Sequence, residues 1–480
     1  MQEVLASDAL EQAALIAGGR TSAEALMQAT LERIAALNPT VNAIVSLRKA
    51  VDLLAEARAA DVALRAGQSK GWMHGLPLAI KDLEDAEGLP TSKGSPLLAG
   101  QVAAADSLMV ARMRAAGAII IGKTNTPEFG LGSHTFNPVH GATGNAWDPA
   151  RSAGGSSGGA AVALALGMLA VADGSDMMGS LRNPAGWNHV YGMRPSWGRV
   201  PDGPGEESFM HPLSTNGPMA RSPRDLAALL EVQSGPHPAM PFGLPPERFL
   251  DRIAAPVAGR RIAWLGDWGG AYAMDPGILD TCTAALELWP KAGVRVERVA
   301  PPFDPALLWR SWCVLRGFAV AGRLGPLYDD PAKRAQLKPA AIWEVESGRS
   351  YSAEDIRAAA LIRSNWYARA AEVLSRFDAL ALPTAQLWPF DKSVVHPQAI
   401  GAQAMDTYHR WMEVVVPASL IGLPAISLPA GFGPQGLPIG VQIIGRHGDD
   451  AGLLQLAQAW HPMRPGADAV PALLRGGSGG

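Results

Sequence analysis

The sequence predicts an α/β fold, a sandwich of helices around a mixed sheet. Three observations carry that prediction. Helical segments alternate with short apolar strand-like segments, no repeat of fixed period is visible, and core-like strands return late in the chain. The two ends of the chain are therefore expected to meet in one sheet, with the middle forming a flanking subregion.

The elements follow in order. Thr21-x-x-Glu24 reads as a capping box ahead of apolar residues at helical spacing up to Leu37, and Asn38-Pro39 is expected to stop that helix. Residues 41–47 read as a short strand and the alanine-rich 51–66 as a helix. Gly75-Leu-Pro-Leu-Ala-Ile80 is an apolar run bounded by glycine, the pattern of a buried strand. Residues 111–116 close a helix and 119–121 begin a strand. A helix at 160–169 follows a small-residue loop, and the strand 169–172 comes after it. Then come helix 224–233, strand 261–265, helix 276–289 and strand 294–299. The Pro- and Gly-rich stretch 234–256 reads as a surface connection. Residues 309–376 are mainly helical, with Ser352 as an N-cap, before strands at 379–382, 425–428 and 440–444. We read 1–475 as one large domain, with a core of about 70–225 and a variable helical subregion of about 300–400. The tail Gly476-Gly-Ser-Gly-Gly480 reads as a linker or an appended scar.

Composition narrows the function. The 480 residues are 48% hydrophobic and 18% charged with a formal net charge of −3, so there is material for a large core and no basic excess to track nucleic acid. Two cysteines exclude a disulfide scaffold and their spacing fits no zinc site; a cytoplasmic protein is expected. No signal-peptide pattern opens the chain, and no apolar run reaches the roughly 20 residues that cross a bilayer.

The most informative segment is Gly154-Gly-Ser156-Ser157-Gly-Gly159. Four glycines and two serines in six residues suit neither helix nor strand. A linker conflicts with the apolar flanks, and a phosphate loop would end in Lys-Ser/Thr. The string Gly154-x-Ser156-x-Gly158 also matches a nucleophile elbow, which needs a histidine partner. A second segment, Asp173-Gly-Ser175-Asp176-Met177-Met178-Gly179-Ser180-Leu181-Arg182-Asn183-Pro184, places Ser180 after a glycine at a sharp turn, where amides can converge on an oxyanion. The third element is Lys81, directly after an apolar strand. A lysine drawn into the interior loses its charge and can act as a base near neutral pH.

Together these elements resemble the amidase signature family. The matching strings are Gly75-Leu-Pro-Leu-Ala-Ile-Lys81-Asp82, Gly122-Lys-Thr-Asn-Thr-Pro-Glu128, Gly154 to Gly159, Gly179-Ser180-Leu-Arg182, Gly192-Met-Arg-Pro-Ser-Trp-Gly-Arg-Val200, Gly217-Pro-Met-Ala-Arg221 and Gly436-Leu-Pro-Ile-Gly-Val-Gln-Ile443. They span about 21–460, with 24 residues from Ser156 to Ser180. The resemblance implies a mixed twisted sheet covered by helices on both faces. It implies Ser180 as nucleophile, Lys81 as base, and Ser156, after a cis peptide bond, as the bridging serine. It further implies an oxyanion loop from the backbone of Met177, Met178, Gly179 and Ser180, supported by Asp176 and Arg182. Such an enzyme needs no metal or organic cofactor.

The chain departs from the family pattern at Met178, where glycine is usual. A positive φ there would strain a methionine; the Met177-Met178 pair either adds bulk near the acyl pocket or packs in the core. Most of the 14 tryptophans are expected to be buried. Ser133, His134 and Trp187 are candidates for the substrate pocket, with 133–140 and 309–350 as its walls. His134, His140, His189 and His211 lie near the motifs and are read as substrate-facing or structural.

Four functions compete. The leading one is a stand-alone hydrolase of bulky apolar amides, anilides or carbamates (urethanes), acting as a monomer or homodimer on small molecules, without nucleic acid or membrane. The second is the glutaminase subunit of a tRNA-dependent amidotransferase. That subgroup carries a Ser-Leu-Asp-Gln stretch, where this chain has Pro212-Leu-Ser-Thr-Asn216. The third is an α/β-hydrolase esterase using Ser156 and a histidine. A catalytically dead binding module is the fourth, and the intact set of Lys81, Ser156 and Ser180 argues against it.

Overall fold

The computed structural model describes residues 1–203, 207–211 and 213–475. The predicted tail, 476–480, and Pro212 lie outside the described residues.

An eight-stranded mixed sheet forms the centre and is flanked by helices. Its strands run, edge to edge, Arg295–Arg298, Arg261–Trp264, Ala379–Pro383, Pro438–Ile444, Ala425–Phe432, Tyr191–Arg194, Thr215–Ala220 and Val171–Asp176. The first three are parallel and the remaining pairings antiparallel. Late strands thus sit in the middle of the sheet and earlier ones lie on both sides of them. A second, three-stranded sheet orders Ile44–Val45, Ile119–Thr124 and Pro77–Lys81, the last two in parallel. The expected helical subregion is present as Pro305–Asp329, Pro331–Arg334, Pro339–Ser350 and Ala353–Leu374. Ser352 caps the last of these in a full capping box with Asp355.

Several boundaries differ from expectation. The first long helix is capped by Ser22, whose hydroxyl accepts the Ala25 N–H, rather than by Thr21. That helix also passes through Pro39 and ends at Val41. The proline removes one backbone donor; the stop comes from Asn42 in the left-handed region at φ 53°, while Asn38 accepts the N–H groups of Ala43 and Ile44. The strand expected at 169–172 is Val171–Asp176, because six of its residues pair in register with Thr215–Ala220. Ser175 and Asp176 therefore belong to a strand, not to the turn. The helix after the glycine-serine stretch is Gly158–Ala165. Its glycine content has a steric cause: a Cβ on Gly159 would lie 2.4 Å from the Asn125 nitrogen and 2.5 Å from the Ala43 carbonyl oxygen.

Candidate active site

Lys81 is the last residue of a strand buried along its whole length. Its side chain is 0% exposed, and Nζ lies 2.8 Å from the hydroxyls of both Ser156 and Ser157 and 3.0 Å from that of Ser175. The Ser175 carbonyl oxygen is 3.4 Å away. Among the described residues no carboxylate forms an ion pair with this amine. Burial lowers Lys81 to about 7, while the negative charges of Asp173, Asp176 and Glu84 pull the other way. A neutral amine has one lone pair and two N–H groups, so it can take a proton from one hydroxyl while donating to two other acceptors.

Ser156 follows a cis peptide bond after Gly155. It is held ahead of the Gly158–Ala165 helix by Thr135, whose hydroxyl donates to the Gly154 carbonyl at 2.7 Å and accepts the Gly158 N–H at 3.2 Å. Ser180 lies in the turn between the Val171–Asp176 strand and the Arg182–Asn188 helix. Its carbonyl accepts the Ser157 N–H at 3.2 Å, which sets the two serine-bearing loops side by side. Among the described residues the Ser180 hydroxyl has no hydrogen-bond partner, and the residue keeps 6% exposure.

The turn before Ser180 is shaped by Asp176. One carboxylate oxygen accepts the Gly179 N–H at 2.8 Å and the other the Leu181 N–H at 3.2 Å. Arg182 closes a two-pronged ion pair on the same carboxylate, at 2.9 and 3.0 Å, with both residues fully buried. Burial works against the charge, yet the Arg182 and Arg194 guanidinium groups hold the Asp176 carboxyl well below the usual carboxylate range. Arg194 donates to the Asp176 carbonyl. Arg182 also reaches the Ser419 hydroxyl at 2.8 Å, the Val415 carbonyl and the Gln442 side chain.

This wiring corrects part of the sequence expectation for the oxyanion loop. The Gly179 amide is committed to Asp176, because a buried carboxylate must be satisfied by nearby donors. The amides of Met177, Met178 and Ser180 have no partner among the described residues. The left-handed residue of the turn is Gly179, at φ +79°, so Met178 carries no positive-φ strain. Met178 packs in the core at 2% exposure; Met177 is half-buried and its sulfur lies 3.2 Å from Arg316 Nη1.

The pocket candidates fall in two groups. Ser133 and His134 border the Ser156 loop: a Cβ on Gly155 would lie 3.1 Å from the His134 nitrogen and the Ser133 carbonyl carbon. The Ser133 hydroxyl is buried without a partner. Both ring nitrogens of His134 are taken, by the Ser152 hydroxyl at 2.8 Å and the Lys392 carbonyl at 2.9 Å, and burial lowers it to about 4. Trp187 is corrected to a core residue. It is 0% exposed, stacked on Trp411, and donates its indole N–H to the Leu387 carbonyl.

Sequence reasoning missed several neighbours. Ser157, Ser175, Arg194 and Gln442 lay inside the quoted motifs but carried no signal of their own. Arg316, Glu344 and Tyr408 lie in the variable half and were not singled out. Arg316 donates to Glu344 and to the Tyr408 hydroxyl, each at 2.6 Å, and Tyr408 donates to Glu344 at 2.7 Å. This cluster touches the site on two sides, at Met177 and, through the Tyr408 ring, opposite Gly132 at 3.7 Å. Among the described residues no group of three or more His, Cys, Asp or Glu is placed to hold a metal ion, and no helix is long and apolar enough to cross a membrane.

Comparison with known proteins agrees in one direction. The family model described as Amidase matches residues 25–454. An acylamidase of Rhodococcus erythropolis is 32% identical over 97% of this chain and 97% of its own length. The amidase-like chain of the glutamyl-tRNA(Gln) amidotransferase of Thermus thermophilus is 34% identical over 93% of this chain and 95% of its own. Among solved structures, a bacterial aryl acylamidase superposes with a TM-score of 0.88 at 28% identity, covering 95% and 96% of the two chains. A 6-aminohexanoate cyclic dimer hydrolase gives 0.87 at 29%, covering 98% and 99%. A mixed α/β chain with these relatives is a hydrolase of amides. It belongs to the amidase signature family.

Proposed function

We propose that this enzyme is a stand-alone serine hydrolase that cleaves C–N bonds of apolar or aromatic amides, anilides or carbamates through an acyl-enzyme on Ser180. The observation that carries the reading is the buried, unpaired Lys81 amine on the Ser156 hydroxyl. In this reading Lys81 is the base, Ser156 relays the proton and Ser180 attacks the carbonyl. The amides of Met177, Met178 and Ser180 hold the oxyanion, and Asp176 with Arg182 fixes the turn that carries them. The proton returns through the same relay to the leaving nitrogen, and water then hydrolyses the acyl-enzyme. The free Ser180 hydroxyl fits this scheme, since catalytic hydrogen bonds often close only in the substrate complex.

The names of the acylamidase and aryl acylamidase relatives support acyl amides and anilides as the substrate class. Carbamates follow because their carbonyl presents the same electrophile to Ser180. The reading takes 1–475 as one catalytic unit in the cytoplasm, a monomer or homodimer, with the variable helical subregion shaping the pocket.

The glutaminase reading is kept because the amidotransferase chains are as similar in sequence as the acylamidase. Against an esterase with a Ser156–histidine pair stands the hydrogen bonding: among the described residues no histidine bonds Ser156 or Ser180. The test is a panel of p-nitroanilides, aryl amides, aryl carbamates and glutamine, with Ser180→Ala as control. Turnover of the anilides and amides with a burst of released aniline is expected; a profile confined to glutamine would overturn the reading.

A further inference from the structure

Asp173 lies on the edge strand Val171–Asp176 of the large sheet, opposite the end of the Pro77–Lys81 strand of the small one. It is 0% exposed, and both carboxylate oxygens face the Lys81 backbone N–H, at 3.1 and 3.3 Å. Among the described residues no side chain donates to it. This is an expensive arrangement for a mere clip. One amide does little to offset burying a carboxylate, and a neutral side chain would hold the same N–H at lower cost.

The charge has a partner in the lysine that follows that N–H. An amine desolvated without a counter-ion becomes a poor base, because the form that has taken the proton is penalised. A nearby carboxylate stabilises the protonated form and restores basicity. The other charges here are already committed. Asp176, on the same strand, is held by Arg182 and Arg194. Lys123, on the Ile119–Thr124 strand, bonds the Glu84 carbonyl and the Thr91 hydroxyl and lies 3.9 Å from Asp82, which His140 approaches at 3.8 Å. Glu84 and Asp202 are bridged by the Asn216 amide at 3.2 and 3.0 Å, and Arg323 acts on Asp202 through its charge.

We propose that Asp173 is a positioning residue that anchors Lys81 to the large sheet through its backbone and, through its negative charge, keeps the Lys81 amine basic enough to take a proton from Ser156. The proposal rests on the reading of Lys81 as the base. Burial pushes the Asp173 carboxyl up to about 6, so it is ionised at and above neutral pH, where the amine must work.

The test is the pH profile of kcat/KM for p-nitroanilide hydrolysis by the full chain. Asp173→Asn keeps an oxygen for the Lys81 N–H and loses the charge; its acid limb should move to lower pH by about one unit. Asp173→Glu keeps the charge, so its limb should stay with that of the unaltered enzyme even if kcat falls. If Asp173→Asn does not fold, Asp173→Ser supplies a short neutral acceptor in its place. An acid limb that superimposes on that of the unaltered enzyme in the neutral variant overturns the proposal. Lys81→Ala separates the two readings. If it retains turnover, the base assignment itself fails. If it is inactive while the neutral Asp173 variant leaves the limb in place, only the role of Asp173 fails.

Discussion

Lys81 Nζ stands 2.8 Å from Ser156 Oγ, across 75 residues of sequence. The contact joins the last residue of a strand in the small sheet to a loop ahead of a helix, and no local pairing links the two segments. The same amine touches the Ser157 and Ser175 hydroxyls and pairs with no carboxylate among the described residues. Its chemistry is therefore that of a desolvated amine among hydroxyls.

Removing that amine should remove the base. Lys81→Met is expected to lower kcat/KM for a p-nitroanilide by about a thousandfold or more, and Ser180→Ala to bring it to background. Initial rates on purified variants check this; activity within about tenfold of the unaltered enzyme in Lys81→Met would contradict it.

The pH dependence has a definite sign. The base must be neutral, and Lys81 titrates near 7, so kcat/KM should fall about tenfold per unit below that pH and level off above it. Stability is linked to the same shift. The folded value lies below the ordinary 10.5, so the unfolded chain binds the extra proton between about 7 and 10.5, and stability rises with pH across that window. Lys81→Met should thus be more resistant to urea than the unaltered protein at pH 7, with the gap closing toward pH 10. Equal gaps at both pH values would count against the shift.

The Asp176–Arg182 pair is fully buried, so breaking it strands a charge. Arg182→Met should destabilise the fold by about 3–5 kcal/mol and abolish activity, because the turn bearing Ser180 hangs on the same carboxylate. Urea unfolding followed by tryptophan fluorescence measures the first effect.

Gly179 is constrained twice. Its φ of +79° disfavours any side chain, and an added Cβ would meet the Val415 side chain at 2.9 Å. Gly179→Ala should lower kcat far more than it raises KM, since it displaces the turn rather than the substrate pocket. Val415→Ala in the same chain relieves the contact but not the backbone, and recovery should be partial.

The Arg316–Glu344–Tyr408 cluster abuts Met177 from the variable half. Tyr408→Phe should change the ratio of kcat/KM between a bulky anilide and acetamide by about threefold or more, while the pH profile stays in place. An unchanged ratio would assign the cluster to packing alone.

The sequence by itself determined the alternation of helices and strands, the family and the segments around Lys81, Ser156 and Ser180, because periodicity and tight glycine-rich turns are written in neighbouring residues. It did not reveal that the strand before Ser180 runs on to Asp176, since that follows from pairing with Thr215–Ala220 about forty residues later. It also read Pro39 as a stop, although the helix ends at Asn42. Tertiary structure alone decided that Gly179 gives its amide to Asp176, that Trp187 packs in the core, and that Asp173 and Arg316 border the site. Those facts depend on burial and on contacts between distant segments, where desolvation makes each polar group take whichever partner the packed fold brings within reach.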